Sequence, residues 1–237
     1  MDPLENAVWH SLVGDLAHLA QASPADEPRA VRFDPAVSVF AAVGDEPTPA
    51  SWSSMAELVG PGGTAVLFRA DPVEPEGWTT LGQLDGFQML GPEVAGEPID
   101  AGDGLVRLTA ADVPEMLELV ARSEPGPFDV RTIETGRYFG ARRDGHLVAM
   151  AGQRLRCAGW VEISAVCTDP AHRGLGLARR MVGAVVADIR EEGATPYLQV
   201  KVDNEPALAL YRSMGFVDIP PYYPSPIPDT AYMELVL

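Results

Sequence analysis

The sequence predicts an α/β (α+β) protein in two parts, a smaller one over residues 1–102 and a larger one over 103–237. Three observations carry this. Short apolar runs of strand length alternate with segments of helical period along the whole chain, most regularly after residue 104. The stretch GPEVAGEPIDAGDG (91–104) has the glycine, proline and acidic content of a linker. The charge also divides there: residues 1–102 hold 16 acidic against three basic side chains, a balance of −13, whereas 103–237 carry −4. A chain of net charge −17 repels phosphate backbones, which argues against nucleic-acid binding. Its basic groups gather in the second part, where an anionic small molecule would go.

In the first part, residues 4–21 read as a helix and FDPAVSVFAAV as a strand. SWSSMAELV reads as a short helix capped by a serine, and GTAVLFRA and GFQML as strands. In the second part GLVRL is a strand, and Thr109 opens a helix running to Arg122. RYFGARR and HLVAMAGQRL flank Asp144-Gly145, a dipeptide favoured in two-residue hairpin turns. WVEISAVCT follows as another strand. From Leu177, apolar residues at 177, 178, 181, 182, 185, 186 and 189 form one helical stripe that Gly193 ends. TPYLQVKV is a strand, Asn204–Met214 a helix ended by Gly215, and FVDI and AYMELVL are closing strands.

No run of about 18 apolar residues occurs, so no membrane span is expected. The first segment, with Glu5 and Asp15, does not read as a signal peptide. Cys157 and Cys167 have neither disulfide-framework nor metal-ligand spacing. They are expected to be reduced, buried thiols of a cytoplasmic protein, and no metal is expected.

Chemistry concentrates in RGLGLA (173–178), between a strand and the amphipathic helix. A nucleotide-triphosphate loop would need Gly-Lys-Ser/Thr at its end, where Ala178-Arg179 stands. A dinucleotide fingerprint would need a third small residue at 179 and a place after the first strand of a βαβ unit. Neither fits. Glycines at 174 and 176 and a small residue at 178 would let an anion approach the bare N–H groups at a helix N-terminus, where the dipole favours negative charge. Arg173, with Arg179 or Arg180, would add charge-assisted contacts.

The run Arg173-Gly174-Leu175-Gly176-Leu177-Ala178 matches Arg/Gln-x-x-Gly-x-Gly/Ala, the coenzyme A turn of the GNAT (general-control-related N-acetyltransferase) superfamily. Thr168-Asp169-Pro170 before the turn, Asn204 and Tyr211 two helical turns apart, and Met214-Gly215-Phe216 at the helix end strengthen the resemblance, which covers roughly 104–237. It implies the GNAT acyl-CoA N-acyltransferase fold with a splayed central sheet, acetyl-CoA as cosubstrate, and an amine acceptor, either a small molecule or a peptide. The first part would be a smaller, degenerate GNAT-like unit without a cofactor motif.

By that resemblance, acetyl-CoA would contact Val166, Cys167 and Thr168 on the strand. It would also contact Arg173, Gly174, Leu175, Gly176, Leu177, Ala178 and Arg179 in the turn, and Asn204, Ala207 and Tyr211 on the last helix. The backbones of Val166 and Thr168 would hold the acyl carbonyl and the pantetheine arm. Asn204 has a second reading as a helix cap, since Asp203-Asn204-Glu205-Pro206 is a good helix start. Tyr211 matches the family's proton donor to the departing thiolate, or else it is a core tyrosine. Strand alternation puts Glu162 on one face with Ser164, Val166 and Thr168, at the spacing of a general base in the histone-acetyltransferase branch. The other reading pairs it with Arg154 or Arg156. For the acceptor, Phe128, Arg131, Tyr222 and Tyr223 are candidates beside Glu162, with a salt bridge from Arg131 to Glu134 equally open. An amino-acid N-acyltransferase resembling the glycine N-acyltransferase group, and a CoA-binding module without turnover, are the alternatives.

Overall fold

The structure is a computed structural model that describes residues 2–24, 28–68, 75–99, 104–219 and 228–235. In the first part a 3-10 turn (Pro3–Asn6) capped by Asp2 runs into α1 (Ala7–Leu12). The helix expected over 4–21 is therefore much shorter. Ser11 turns its hydroxyl back onto the Ala7 carbonyl (2.6 Å), which weakens a helix, and Gly14 follows at once. The same Ser11 oxygen accepts from the Arg156 N–H (3.0 Å), fastening α1 to the second part.

After β1 (Ala20–Ala22), the run expected as one strand is two, β2 (Ala30–Phe33) and β3 (Phe40–Val43). Asp34 breaks it by accepting the Ala36 N–H in a turn of its own. Helix α2 (Pro49–Val59) is capped by Thr48 rather than by a serine, with Ser51 completing the reciprocal box. β4 (Thr64–Phe68) follows, and then β5 (Trp78–Leu90), far longer than GFQML.

The second part follows its expected order: β6 (Leu105–Leu108), α3 (Val113–Ser123), β7 (Tyr138–Arg143), β8 (His146–Cys157) and β9 (Trp160–Thr168). Then come α4 (Leu177–Glu191), β10 (Thr195–Lys201), α5 (Glu205–Met214), β11 (Val217–Asp218) and β12 (Pro228–Leu235). Asp144 and Gly145 both take positive φ, 50° and 82°, as the two-residue hairpin turn between β7 and β8 requires.

The strands join in the order β1-β2-β3-β4-β12-β5-β10-β9-β8-β7-β6, with β11 alongside β5. From β3 to β9 the pairing is parallel, antiparallel, antiparallel, antiparallel, parallel, so it reads the same from either end. Strand β12 lies between β4 and β5 although it comes last in the chain. Residues Trp78–Asp85 of β5 pair with β12, and Gly86–Leu90 pair with β10. Strand pairing thus crosses the boundary expected near residue 102.

Helix α4 lays Met181, Val182, Val185, Val186 and Ile189, all fully buried, on Val161, Ile163 and Leu198. Each such side chain contributes about 1.5–3 kcal/mol of apolar burial. A second cluster sets α3 (Met116, Leu119) against Tyr138, Met150 and Cys167, and a third sets α1 against Leu155, Cys157 and Tyr197. No helix among the described residues is long and apolar enough to cross a membrane.

Candidate active site

Strands β9 and β10 pair in parallel only from Trp160↔Thr195 to Ile163↔Leu198. Beyond that point they run on to Thr168 and Lys201 without pairing to each other, and the sheet is open between them. On its other edge β9 keeps to β8, but with a slip. Ser164 faces Gly152 and Cys167 faces Met150, so Ala165 and Val166 together oppose Ala151. Ala165 sits at φ 52°, the mark of a bulge.

The bulge inverts the alternation of β9. Val161, Ile163 and Val166 pack with the α4 cluster, whereas Ala165 and Cys167 pack with that of α3. The expectation that Glu162 shares a face with Val166 and Thr168 is therefore corrected: one extra residue reverses every side chain after it. A cleft of roughly 900 Å³ occupies the opening. Arg173, Gly174 and Gly176 of the turn before α4, Tyr211 of α5, Ser123 and Glu124 at the end of α3, and Arg154 of β8 all line it.

Helix α4 starts at Gly176 in the left-handed conformation (φ 72°), with no side-chain cap from any described residue. Gly174 is at φ 78°, and a Cβ at either position would meet nothing within 4 Å. Backbone shape rather than crowding thus asks for glycine, and the uncapped N–H groups of α4 stay available to a ligand. Arg173 and Leu175 are exposed, while the Leu177 side chain is buried in the core and leaves only its backbone to the turn. Ala178 also lines the cleft, and Arg179 donates to Ser213 on α5.

Asn204 accepts the Ala207 N–H (3.3 Å), so it caps α5 while lining the cleft with Ala207. Tyr211 is 7% exposed and meets Phe216 edge-on at 5.9 Å, and burial pushes its phenol up to about 12. The Thr168 hydroxyl oxygen is buried with no hydrogen-bond partner among the described residues.

Burial raises the thiols of Cys157 and Cys167 to about 12 and about 11. Both should resist Ellman's reagent at pH 8 in the folded protein and react at once in denaturant. Fast labelling of the native chain would show that burial does not protect them.

At Glu162 the geometry departs from expectation. Glu162 is 0% exposed, and both its oxygens are held by Arg154, Nε to Oε2 at 2.8 Å and Nη2 to Oε1 at 2.6 Å. It is a paired carboxylate, not one turned toward an incoming amine. Burial opposes the charge on Arg154, but the charge and hydrogen bonds of Glu162 more than offset it and raise its pKa. Phe40 and Phe68, from the first part, lie 4.7 and 5.6 Å from the guanidinium carbon.

Arg131 is occupied by Glu134 (2.8 Å) and by Asp34 (3.1 Å) of the first part, so it is not held out for a substrate carboxylate. Phe128 packs edge-on against Tyr138 at 5.7 Å on the α3 core. Tyr222 and Tyr223 lie outside the described residues. The stretch from Ser123 was expected to wall the acceptor site, and Ser123, Glu124 and Gly126 do line the cleft; the sequence reading missed Gln199 and Lys201, which line it too. For Gln199 and Lys201 the signal was available: they stand where β10 runs on past its last pairing with β9.

The sequence profile of the Acetyltransferase (GNAT) family matches residues 107–216. A solved structure of a GNAT-family protein from Novosphingobium aromaticivorans is 33% identical, with a TM-score of 0.82 over 99% of this chain and 97% of that one. The chain belongs to the GNAT family. The N-alpha-acetyltransferase RimI of Mycobacterium tuberculosis is 37% identical over 131 residues, 51% of this chain and 79% of that protein. An uncharacterised Mycobacterium leprae protein is 37% identical over 154 residues, 58% of this GNAT chain but 41% of its own length. The Novosphingobium match spans both parts, so the arrangement of the first part is shared as well.

Proposed function

We propose that this GNAT chain transfers an acetyl group from acetyl-CoA to a primary amine by direct attack within a ternary complex. The observation that carries the reading is the cleft, which leads from the uncapped start of α4 through the opening between β9 and β10 to the face carrying α3. The α4 turn, with Arg173, would hold the pyrophosphate, and the pantetheine arm would run along β9 past Val166 and Thr168. The bulge frees backbone groups at Ala165 and Val166 from regular pairing, and an N–H there would donate to the oxyanion as it forms. The amine's electron pair forms the new C–N bond, the C–S bond breaks, and the thiolate takes a proton. With Glu162 paired to Arg154, the amine would lose its own proton to water in the cleft. The two parts would divide the work, 103–237 carrying the chemistry and 1–102 the scaffold. The buried thiols suit a reducing, cytoplasmic setting.

The test is release of CoA with a panel of amines, amino acids and peptides. Cofactor binding without turnover across the panel would leave a binding module instead. In a working enzyme the rate should rise with pH toward the acceptor's own pKa, about 7.7–8.0 for an α-amine or 10.4 for a lysine. A plateau reached well below that pKa would point to a protein base.

Tyr211 would donate the thiolate's proton. A phenol near 12 stays protonated across the working range, so the donor is always loaded, though it is a weaker acid than a free phenol. Tyr211→Phe should still bind acetyl-CoA and slow the chemical step, more for donors with poor thiol leaving groups than for good ones. Single-turnover rates across a donor series would show this. An unchanged dependence on leaving-group pKa would make Tyr211 a packing residue.

A further inference from the structure

Among the described charged residues lining the cleft, Arg154 is the most buried (9% exposed). Its planar guanidinium offers donors on three nitrogens. Nε and Nη2 are used on Glu162, which fixes the plane of the group. Phe40 and Phe68 pack near it and limit its movement. Nη1 makes no hydrogen bond to any described residue, and the side chain lines the cleft. A fixed donor thus stands beside the cleft, unspent. Such a group favours a ligand that can accept from it over one that cannot, because a ligand that covers the donor without accepting from it leaves it unpaired.

We propose that Nη1 of Arg154 determines acceptor specificity by donating to an oxygen that the acceptor carries beside its amine. This rests on the transferase reading above. The charge of the site chooses the kind of oxygen. Arg154 and Glu162 together carry no net charge, so the pair itself offers an anion no excess positive charge. A neutral amide carbonyl is the match. The acceptor class is therefore the α-amine of a peptide, with the carbonyl of its first residue on Arg154, rather than an alkylamine or a free amino acid. Arginine keeps its proton at every working pH, so this contact does not titrate. Glu162 acts through Arg154 as a positioning residue.

The experiment compares three probes in the full chain: an alanyl dipeptide amide, its analogue with the first carbonyl reduced to a methylene, and free alanine. Rates are taken per free amine to remove the difference in amine pKa. Wild type should show a kcat/KM about 10- to 100-fold lower for the reduced analogue, and alanine should also fall below the dipeptide. In Arg154→Lys, which keeps a cation beside Glu162 but loses the fork, the preference for the carbonyl should collapse. Acetyl-CoA should still raise the melting temperature of that variant. Equal wild-type rates on the dipeptide and its reduced analogue, or a preference that survives in Arg154→Lys, would overturn the assignment. So would a preference for alanine. If Arg154→Lys does not fold, the wild-type comparison decides alone. Absence of turnover both with these probes and with every amine of the wider panel would sink the transferase reading itself and this proposal with it.

Discussion

Gly176→Glu is expected to abolish the rise in melting temperature that acetyl-CoA produces, while the protein stays folded. At φ 72° any side chain at 176 is strained by about 1–2 kcal/mol, yet no atom within 4 Å opposes a Cβ there. A carboxylate at the start of α4 also regains about 0.3–1 kcal/mol from the helix dipole. Folding should therefore survive. The cofactor should not bind, because the new carboxylate would stand where the pyrophosphate is proposed to bind and repel it. In wild type, ligand at a hundred times its dissociation constant stabilises by about 2.7 kcal/mol, a shift readily seen in a melting curve. Gly176→Ala serves as the control, carrying the backbone strain without the charge, and should keep part of the shift. A folded Gly176→Glu protein with the full shift would place the cofactor elsewhere.

Glu162→Ala should cost about 3–5 kcal/mol of stability, because it leaves the Arg154 guanidinium buried with no counter-charge. For a chain of this length that is roughly a 10–15 °C fall in melting temperature. Replacing both partners together, with Arg154→Met and Glu162→Leu, should recover most of it, since matched apolar groups avoid the cost of burying charge. The milder Glu162→Gln separates the two roles open to this residue. A structural partner would lower the melting temperature and leave turnover per folded molecule near normal. A general base would do the reverse, with a loss of about 10²- to 10⁴-fold. The fork geometry leads us to expect the first outcome.

What could be read from the sequence was local. The α4 stripe, the glycine turn before it and the Asp144-Gly145 hairpin each follow from residues within a few positions of one another. Glu162 was placed on the wrong face because nothing in WVEISAVCT announces a bulge: the residue at positive φ is an alanine, not a glycine. Its pairing with Arg154 was one of two readings left open, and geometry was needed to choose. Arg131 went the same way, as its second partner, Asp34, lies almost a hundred residues earlier. The first helix was overestimated because apolar period alone does not reveal the Ser11 back-bond or the break at Gly14. The length of β5 was missed because its polar half earns its strand character from β12, a partner some 150 residues downstream.

That placement of β12 has a consequence for how the protein is made. A ribosome releases β12 after every other described element, and only then can β4 gain its second neighbour. Until that moment β4 and the start of β5 present open edges, the kind that recruit other chains. The first part, though synthesised early, must wait for the last strand before its sheet closes, so the two parts cannot mature one after the other. A truncation removing 228–235 would leave a slot in the middle of the sheet rather than a trimmed end. Cutting near residue 102 would take β5 from β10 and strand β12 without either partner.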